Sequence, residues 1–211
     1  MEKVVDRDYL ISYLESLYND AKCRLNYRND YELLVSIVLS AQTTDDAVNN
    51  VTPILFEKYP TIADLASADI EDVSNIIRSI GLYKNKSRNI VNLAKILTED
   101  NYSIVPNDSN YLLSLPGVGR KTTNVFLSEY YDENTLGIDT HLGRLAKRLN
   151  LADECDDPLK IELKLLKYLD GYSSKKFHHM MIAFGRDKCT AQSPKCESCK
   201  LKEYCKNGVG K

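Results

Sequence analysis

Four cysteines, Cys189, Cys196, Cys199 and Cys205, fall within seventeen residues, with six, two and five residues between successive members. In a chain with no other clustered cysteines this run reads as a metal or iron–sulfur cage rather than as two disulfides. Zinc also takes four cysteines, but zinc modules usually pair them as two short C-x-x-C hooks, and only Cys196 and Cys199 have that spacing. A 4Fe–4S cluster is held by single thiolates that can come from a wider loop, so the spacing favours iron–sulfur over zinc, with disulfides behind both. Cys23 and Cys155 have no partner at ligand spacing and read as ordinary thiols.

A cage of this kind needs a body, and 211 residues are enough for one large or two small domains. The segment Met1 to Asp8 lacks the apolar run of a signal peptide and no stretch approaches a membrane span, so a cytoplasmic protein with no membrane partner is expected. The formal charge of −2 argues against a uniformly basic nucleic-acid coat. It hides an asymmetry: residues 1–110 carry 11 Lys+Arg against 17 Asp+Glu, and residues 111–211 carry 17 against 13. No acidic residue occurs from Val73 to Thr98, where Arg78, Lys84, Lys86, Arg88 and Lys95 suggest a basic face. Arg144, Lys147 and Arg148, at helical spacing, either continue that face or are simply exposed.

The patterning is helical almost throughout. Tyr31 to Ala41 is apolar enough for a buried helix, with Asp30 as its expected N-cap. Asp8–Tyr18, Asp45–Tyr59, Ile70–Ile80, Lys84–Leu97, Val118–Tyr130, Thr140–Leu149, Pro158–Leu169 and Ser174–Phe184 also suit helices. Pro60, Gly81, Pro106, Pro116, Gly137 and Gly171 fall between them as stop and start signals. No period-2 segment competes, and the fold class expected is all-α.

Leu115-Pro-Gly-Val-Gly-Arg-Lys-Thr-Thr-Asn-Val125 is the second informative stretch. Proline closes a short helix, Gly117 and Gly119 permit positive φ and close backbone approach, and a new helix begins near Val118. The result is a hairpin between two helices whose amides sit at a helix N-terminus, a ready site for a phosphate oxygen. A plain tight turn is the alternative, but Arg120 and Lys121 tilt the reading toward a DNA backbone.

This hairpin, followed by Ile138-Asp-Thr-His141 and then the cysteine loop, resembles the endonuclease III family of helix-hairpin-helix DNA glycosylases with abasic-site lyase activity. Leu39-Ser-Ala-Gln-Thr-Thr-Asp45, Gly81-Leu-Tyr-Lys-Asn-Lys86, His178-His179 and Gly185-Arg186 extend the resemblance over roughly Tyr31 to Cys205.

The resemblance implies roles residue by residue. Lys121 matches the nucleophile that attacks C1′ of the sugar and leaves a Schiff base; the positive helix end and the neighbouring Arg120 both favour the neutral amine this needs. Asp139 matches the catalytic carboxylate, an anion near the positive charge that develops on the sugar, and it also suits N-capping of a helix from Thr140. Gln42 and Leu82 match the two side chains that enter the DNA when a base leaves the duplex, although Gln42 is equally suited to ending its helix. His141 is a cleft or phosphate contact or a locally packed residue, and His178 and His179 serve packing or hydrogen bonding. With Lys84, Gly117, Gly119, Arg120 and Lys195 these complete the expected DNA contacts. Cys189, Cys196, Cys199 and Cys205 would hold a 4Fe–4S cluster.

By the same resemblance the fold is two-lobed, with residues 22–133 a six-helix lobe whose hairpin spans about 107–130. Residues 1–21 plus 134–211 form a cluster lobe, with Gln42 and Leu82 on one side of a cleft and Lys121 facing Asp139 across it. The expected partner is double-stranded DNA bearing damaged pyrimidines or abasic sites, and a monomer is the default. Gln192-Ser193 stands where relatives often have a basic pair, Met180-Met181 where they often have tryptophan, and the sequence pI is near neutral. A mismatch adenine glycosylase and a catalytically silent DNA-binding or redox module are the alternatives; Lys121, which the adenine glycosylases generally lack, argues against the first, and Lys121 together with Asp139 against the second.

Overall fold

The computed structural model describes residues 4–208. Residues 1–3 and 209–211 of the expected cluster lobe therefore lie outside the described residues. Among the described residues the structure is helical with no strand: α1 Arg7–Tyr18, α2 Asp30–Leu39, α3 Asp45–Lys58, α4 Ile62–Ala66, α5 Ile70–Ile76, α6 Tyr83–Glu99, α7 Ser109–Ser114, α8 Arg120–Tyr131, α9 Thr140–Arg148, α10 Pro158–Leu169 and α11 Ser174–Asp187. None of these helices is long and apolar enough to cross a membrane.

The chain divides into two units, Cys23–Tyr131 and Met1–Lys22 with Asp132–Lys211. In the first, every residue of α2 is buried, and α2 packs against α3, α6 and α8 while α6 packs on α4 and α5. Leu33, Leu34, Leu55, Ile90 and Phe126 are fully buried in its core, each worth about 1.5–3 kcal/mol in apolar surface removed from water. In the second, α11 packs against α1 and α9, and α10 against α9. Its core includes Leu10, Leu14, Leu145, Leu165, Phe177 and the pair Met180 and Met181, both at 0% exposure. That pair fills core volume, as an unbranched thioether chain can.

Helix starts follow local capping. Asp6 accepts the Tyr9 amide at 3.0 Å, Thr44 the Ala47 amide at 3.3 Å and Asp157 the Lys160 amide at 2.8 Å, the last with Pro158 in the first turn where its missing N–H costs nothing. The cap of α2 is Asn29, which accepts the Glu32 amide at 2.9 Å. Asp30, expected in that role, lies one residue inside the helix, where its buried carboxylate accepts the Val105 amide at 2.5 Å. Helix α8 begins at Arg120, two residues later than expected, because turn bonding persists through the hairpin: the Val118 amide donates to Leu115 O at 3.1 Å. Helix α5 stops at Ile76, and the segment to Leu82 forms turns instead.

Candidate active site and iron–sulfur site

In the Cys23–Tyr131 unit the hairpin joins α7 to α8. Gly117 has φ +79°, and a Cβ there would meet the Asn89 side chain at 2.8–2.9 Å, so both backbone and space demand glycine. Gly119 differs: φ is not positive, and a Cβ would meet nothing within 4 Å. As the residue before α8 it accepts the Thr123 amide at 2.9 Å but brings no capping side chain. Arg120 and Lys121 follow in the first turn, both exposed, and the Lys121 ammonium has no hydrogen-bond or ion-pair partner among the described residues.

Gln42 and Leu82 stand on two short loops that the same unit brings together. Both are exposed and both have left-handed backbone, φ 54° and φ 59°. Leu82 is 56% exposed and starts α6 without a side-chain cap. Left-handed backbone costs a residue with a Cβ about 1–2 kcal/mol, so two exposed side chains are held out at the expense of local strain. The loops touch: the Cβ position of Gly81 is 3.8 Å from Gln42 O and 4.0 Å from Thr43 Oγ1. Lys84 is exposed on the first turn of α6. Lys86, expected on the basic face, is instead 4% exposed and donates from Nζ to Thr43 Oγ1 at 2.6 Å; burial holds its ammonium below the usual lysine range.

In the other unit Asp139 caps α9, its Oδ1 accepting the Leu142 amide at 2.7 Å. Two residues upstream, Gly137 O lies 3.1 Å from Nε2 of the buried His178, which fixes the approach to Asp139. His141 Nδ1 lies 3.2 Å from Arg144 Nη2, and a Cβ on Gly185 would come within 3.0 Å of that same ring nitrogen. Arg144 Nη2 also donates to Gly185 O and Cys189 O, each at 3.0 Å. Arg148 donates from Nη1 to Cys189 Sγ at 3.2 Å and Thr190 O at 2.8 Å, and from Nη2 to Ala191 O at 3.0 Å. These two arginines are thus turned into the cysteine loop rather than spread over a basic face. Lys195 is paired with Asp187 at 2.8 Å.

Cys189, Cys196, Cys199 and Cys205 line one cavity, walled by Leu149, Phe184 and Leu201. All four are free thiols. Cys196–Ser198 and Lys202–Tyr204 form 3₁₀ turns, which bring Cys199 N onto Cys196 O at 3.2 Å and Cys205 N onto Lys202 O at 3.3 Å. Burial first, and the neighbouring thiols next, push the Cys199 and Cys205 thiols up; bound iron reverses that preference by favouring thiolate. Among the described residues no three His, Cys, Asp or Glu side chains converge to hold a single metal ion. Four soft donors around one largely apolar cavity suit a polynuclear cluster.

Comparison with known proteins gives the family. Residues 35–170 match the HhH-GPD superfamily of base excision DNA repair proteins, and residues 189–205 match the iron–sulfur binding domain of endonuclease III. Endonuclease III of Bacillus subtilis (strain 168) is 39% identical over 201 residues, spanning 95% of this chain and 92% of the relative. The chain belongs to the endonuclease III family. Endonuclease III of Rickettsia felis is 43% identical over 184 residues, 87% of this chain and 86% of the relative. A solved structure of a trapped endonuclease III–DNA covalent intermediate superposes with a TM-score of 0.90 at 43% identity, covering 97% of each chain. As an endonuclease III homologue this protein is a DNA glycosylase and abasic-site lyase, and it carries an iron–sulfur cluster.

The residues that sequence reading misses within this endonuclease III frame are supporting ones. Lys86 and Thr43 link two loops, Asn89 backs Gly117, and Arg144 and Arg148 hold the cysteine loop. For Lys86 a signal is present: it precedes Ile90, Ala94 and Leu97 at helical spacing, on the stripe that is buried.

Proposed function

We propose that this protein excises oxidised or reduced pyrimidines from duplex DNA and cuts 3′ to the resulting abasic sugar, with Lys121 as the nucleophile. The observation that carries the reading is the exposed, unpartnered Lys121 amine two residues past the open Gly119, in a chain 43% identical to an endonuclease III trapped covalently on DNA. The Lys121 Nζ lone pair forms a bond to C1′ as the glycosidic bond breaks, and the base departs with that electron pair and takes up a proton. Ring opening leaves an imine, loss of a proton from C2′ expels the 3′ oxygen, and water releases the lysine. Asp139, held by its cap on α9, supplies the anion that stabilises the positive sugar.

Leu82 acts as an apolar wedge and Gln42 takes the place of the departed base. Gly117, Gly119 and Arg120 seat a phosphate at the α8 N-terminus, Lys84 adds charge for the backbone, and His141 contacts a phosphate. Cys189, Cys196, Cys199 and Cys205 would hold the 4Fe–4S cluster, which would supply a structural cross-link for the loop that presents Lys195. Lys195 must exchange Asp187 for a phosphate, and with few other cations the salt dependence of binding is shallow. The protein works as a monomer on the nucleoid, in the cytoplasm, a reading supported by its likeness to bacterial endonuclease III.

The test is single-turnover incision of a duplex carrying one dihydrothymine. The unmodified protein should leave a 3′ unsaturated aldehyde, and Lys121→Ala should lose about 100-fold or more in rate. Equal incision by Lys121→Ala would remove the assignment.

A further inference from the structure

Lys86 is a costly residue for its position. Its side chain is 4% exposed, and among the described residues its ammonium has one partner, the Thr43 hydroxyl at 2.6 Å. An apolar side chain of the same length would avoid the desolvation that a buried ammonium with a single neutral partner suffers. What the lysine does provide is a fixed connection between two loops. Thr43 is the residue after the left-handed Gln42, its amide donates to Ser40 O at 3.0 Å, and its hydroxyl lies 3.5 Å from Ala41 O. The Lys86 amide meanwhile donates to Leu82 O at 3.0 Å, closing the turn that holds Leu82 at φ 59°. One residue therefore grips the Leu82 loop by its backbone and the Gln42 loop by its side chain. Gly81 lets the two loops lie in contact, its Cβ position 3.8 Å from Gln42 O.

We infer that Lys86 is a positioning residue that couples the Gln42 and Leu82 loops, so that the two side chains enter DNA as a unit. The inference rests on the reading that Gln42 and Leu82 enter the DNA. Each loop carries a strained residue that would relax if released. The Lys86–Thr43 bond removes that freedom before DNA arrives, which is where preorganisation acts.

The experiment compares Lys86→Met, Thr43→Val, Thr43→Ser and the Lys86→Met/Thr43→Val double variant with Gln42→Ala and Leu82→Ala, all cluster-loaded. The readouts are thermal midpoint, single-turnover excision of dihydrothymine, and fluorescence of a 2-aminopurine placed opposite the lesion, which reports insertion without chemistry. Lys86→Met and Thr43→Val should each keep a thermal midpoint near that of the unmodified protein, lose about tenfold in excision rate and lose most of the fluorescence rise. The double variant should be no worse than either single one, and Thr43→Ser should retain both signals. If Gln42→Ala and Leu82→Ala abolish the fluorescence rise while Thr43→Val leaves it intact, the coupling is wrong and the reading of the two loops stands. If Gln42→Ala and Leu82→Ala leave the rise intact, the reading itself fails and the inference with it. Thr43→Val decides the matter even if Lys86→Met does not fold.

Discussion

Asp139 Oδ1 accepts the Leu142 amide at 2.7 Å, so the helix that the carboxylate caps also fixes its position. Capping and chemistry separate in one substitution, because asparagine caps a helix about as well as aspartate and carries no charge. Asp139→Asn should therefore change stability by less than about 0.5 kcal/mol while lowering single-turnover excision by about 100-fold; a thermal melt and a rate on the same preparation check both. Arg148 is the other informative residue. Its guanidinium reaches Cys189 Sγ and the carbonyls of Thr190 and Ala191, and hydrogen bonds of this charged kind are worth about 1.5–3 kcal/mol each when broken. Arg148→Ala should lose the visible absorbance of the cluster to a chelator several times faster than the unmodified protein, with the other helices unaffected by circular dichroism. Its role is hidden in the sequence for a physical reason. Helical spacing from Arg144 to Arg148 places two cations on a face, but their partners are backbone carbonyls some forty residues away, which no local pattern encodes.

At the scale of elements, the two hairpin glycines make opposite demands. Gly117 has positive φ and Asn89 within 2.8 Å of a virtual Cβ, whereas Gly119 has neither constraint. Gly117→Ala should destabilise the fold by about 1–3 kcal/mol. Gly119→Ala should fold normally and bind abasic duplex several-fold more weakly, because the added methyl stands where a phosphate approaches; unchanged affinity on a filter-binding titration would place the phosphate elsewhere. The longer helices are legible because apolar periodicity and capping residues agree, as in α3, α9 and α10. Helix α4 is not, since five residues show no period, although Thr61 and Asp64 form a capping box around its start. The cap of α2 differs by one residue from the expectation because Asn29 and Asp30 both suit the role, and the choice is made by Val105, whose amide takes the Asp30 carboxylate. Of the candidate site, the motifs are visible in the sequence, while the bond from Lys86 to Thr43 and the packing of Asn89 behind Gly117 are not, because both depend on contacts between segments distant in sequence.

Over the whole molecule, several carboxylates are held low by lysines: Glu15 by Lys176 and Tyr172, Asp72 by Lys58 and Tyr59, and Asp156 by Lys164 and the Asp153 amide. Each has a folded pKa below its unfolded one, so protonation favours the unfolded chain. Their contribution is complete above pH about 4–4.5 and is lost as pH falls through the depressed folded values. Thermal midpoints should be flat from pH 7 to about 5 and fall below about 4, with Asp72→Asn showing a lower plateau and a shallower fall. The same chain must also perform its chemistry, and the chemistry we propose turns on Lys121 as the covalent centre. Borohydride trapping on a duplex with one abasic site, with Lys121→Ala beside the unmodified protein and both carrying the cluster, is the decisive experiment. The expected result is a covalent protein–DNA adduct from the unmodified chain, mapped to Lys121 by peptide mass, and none from the variant. An adduct of equal yield from Lys121→Ala, or none from the unmodified protein, would contradict it.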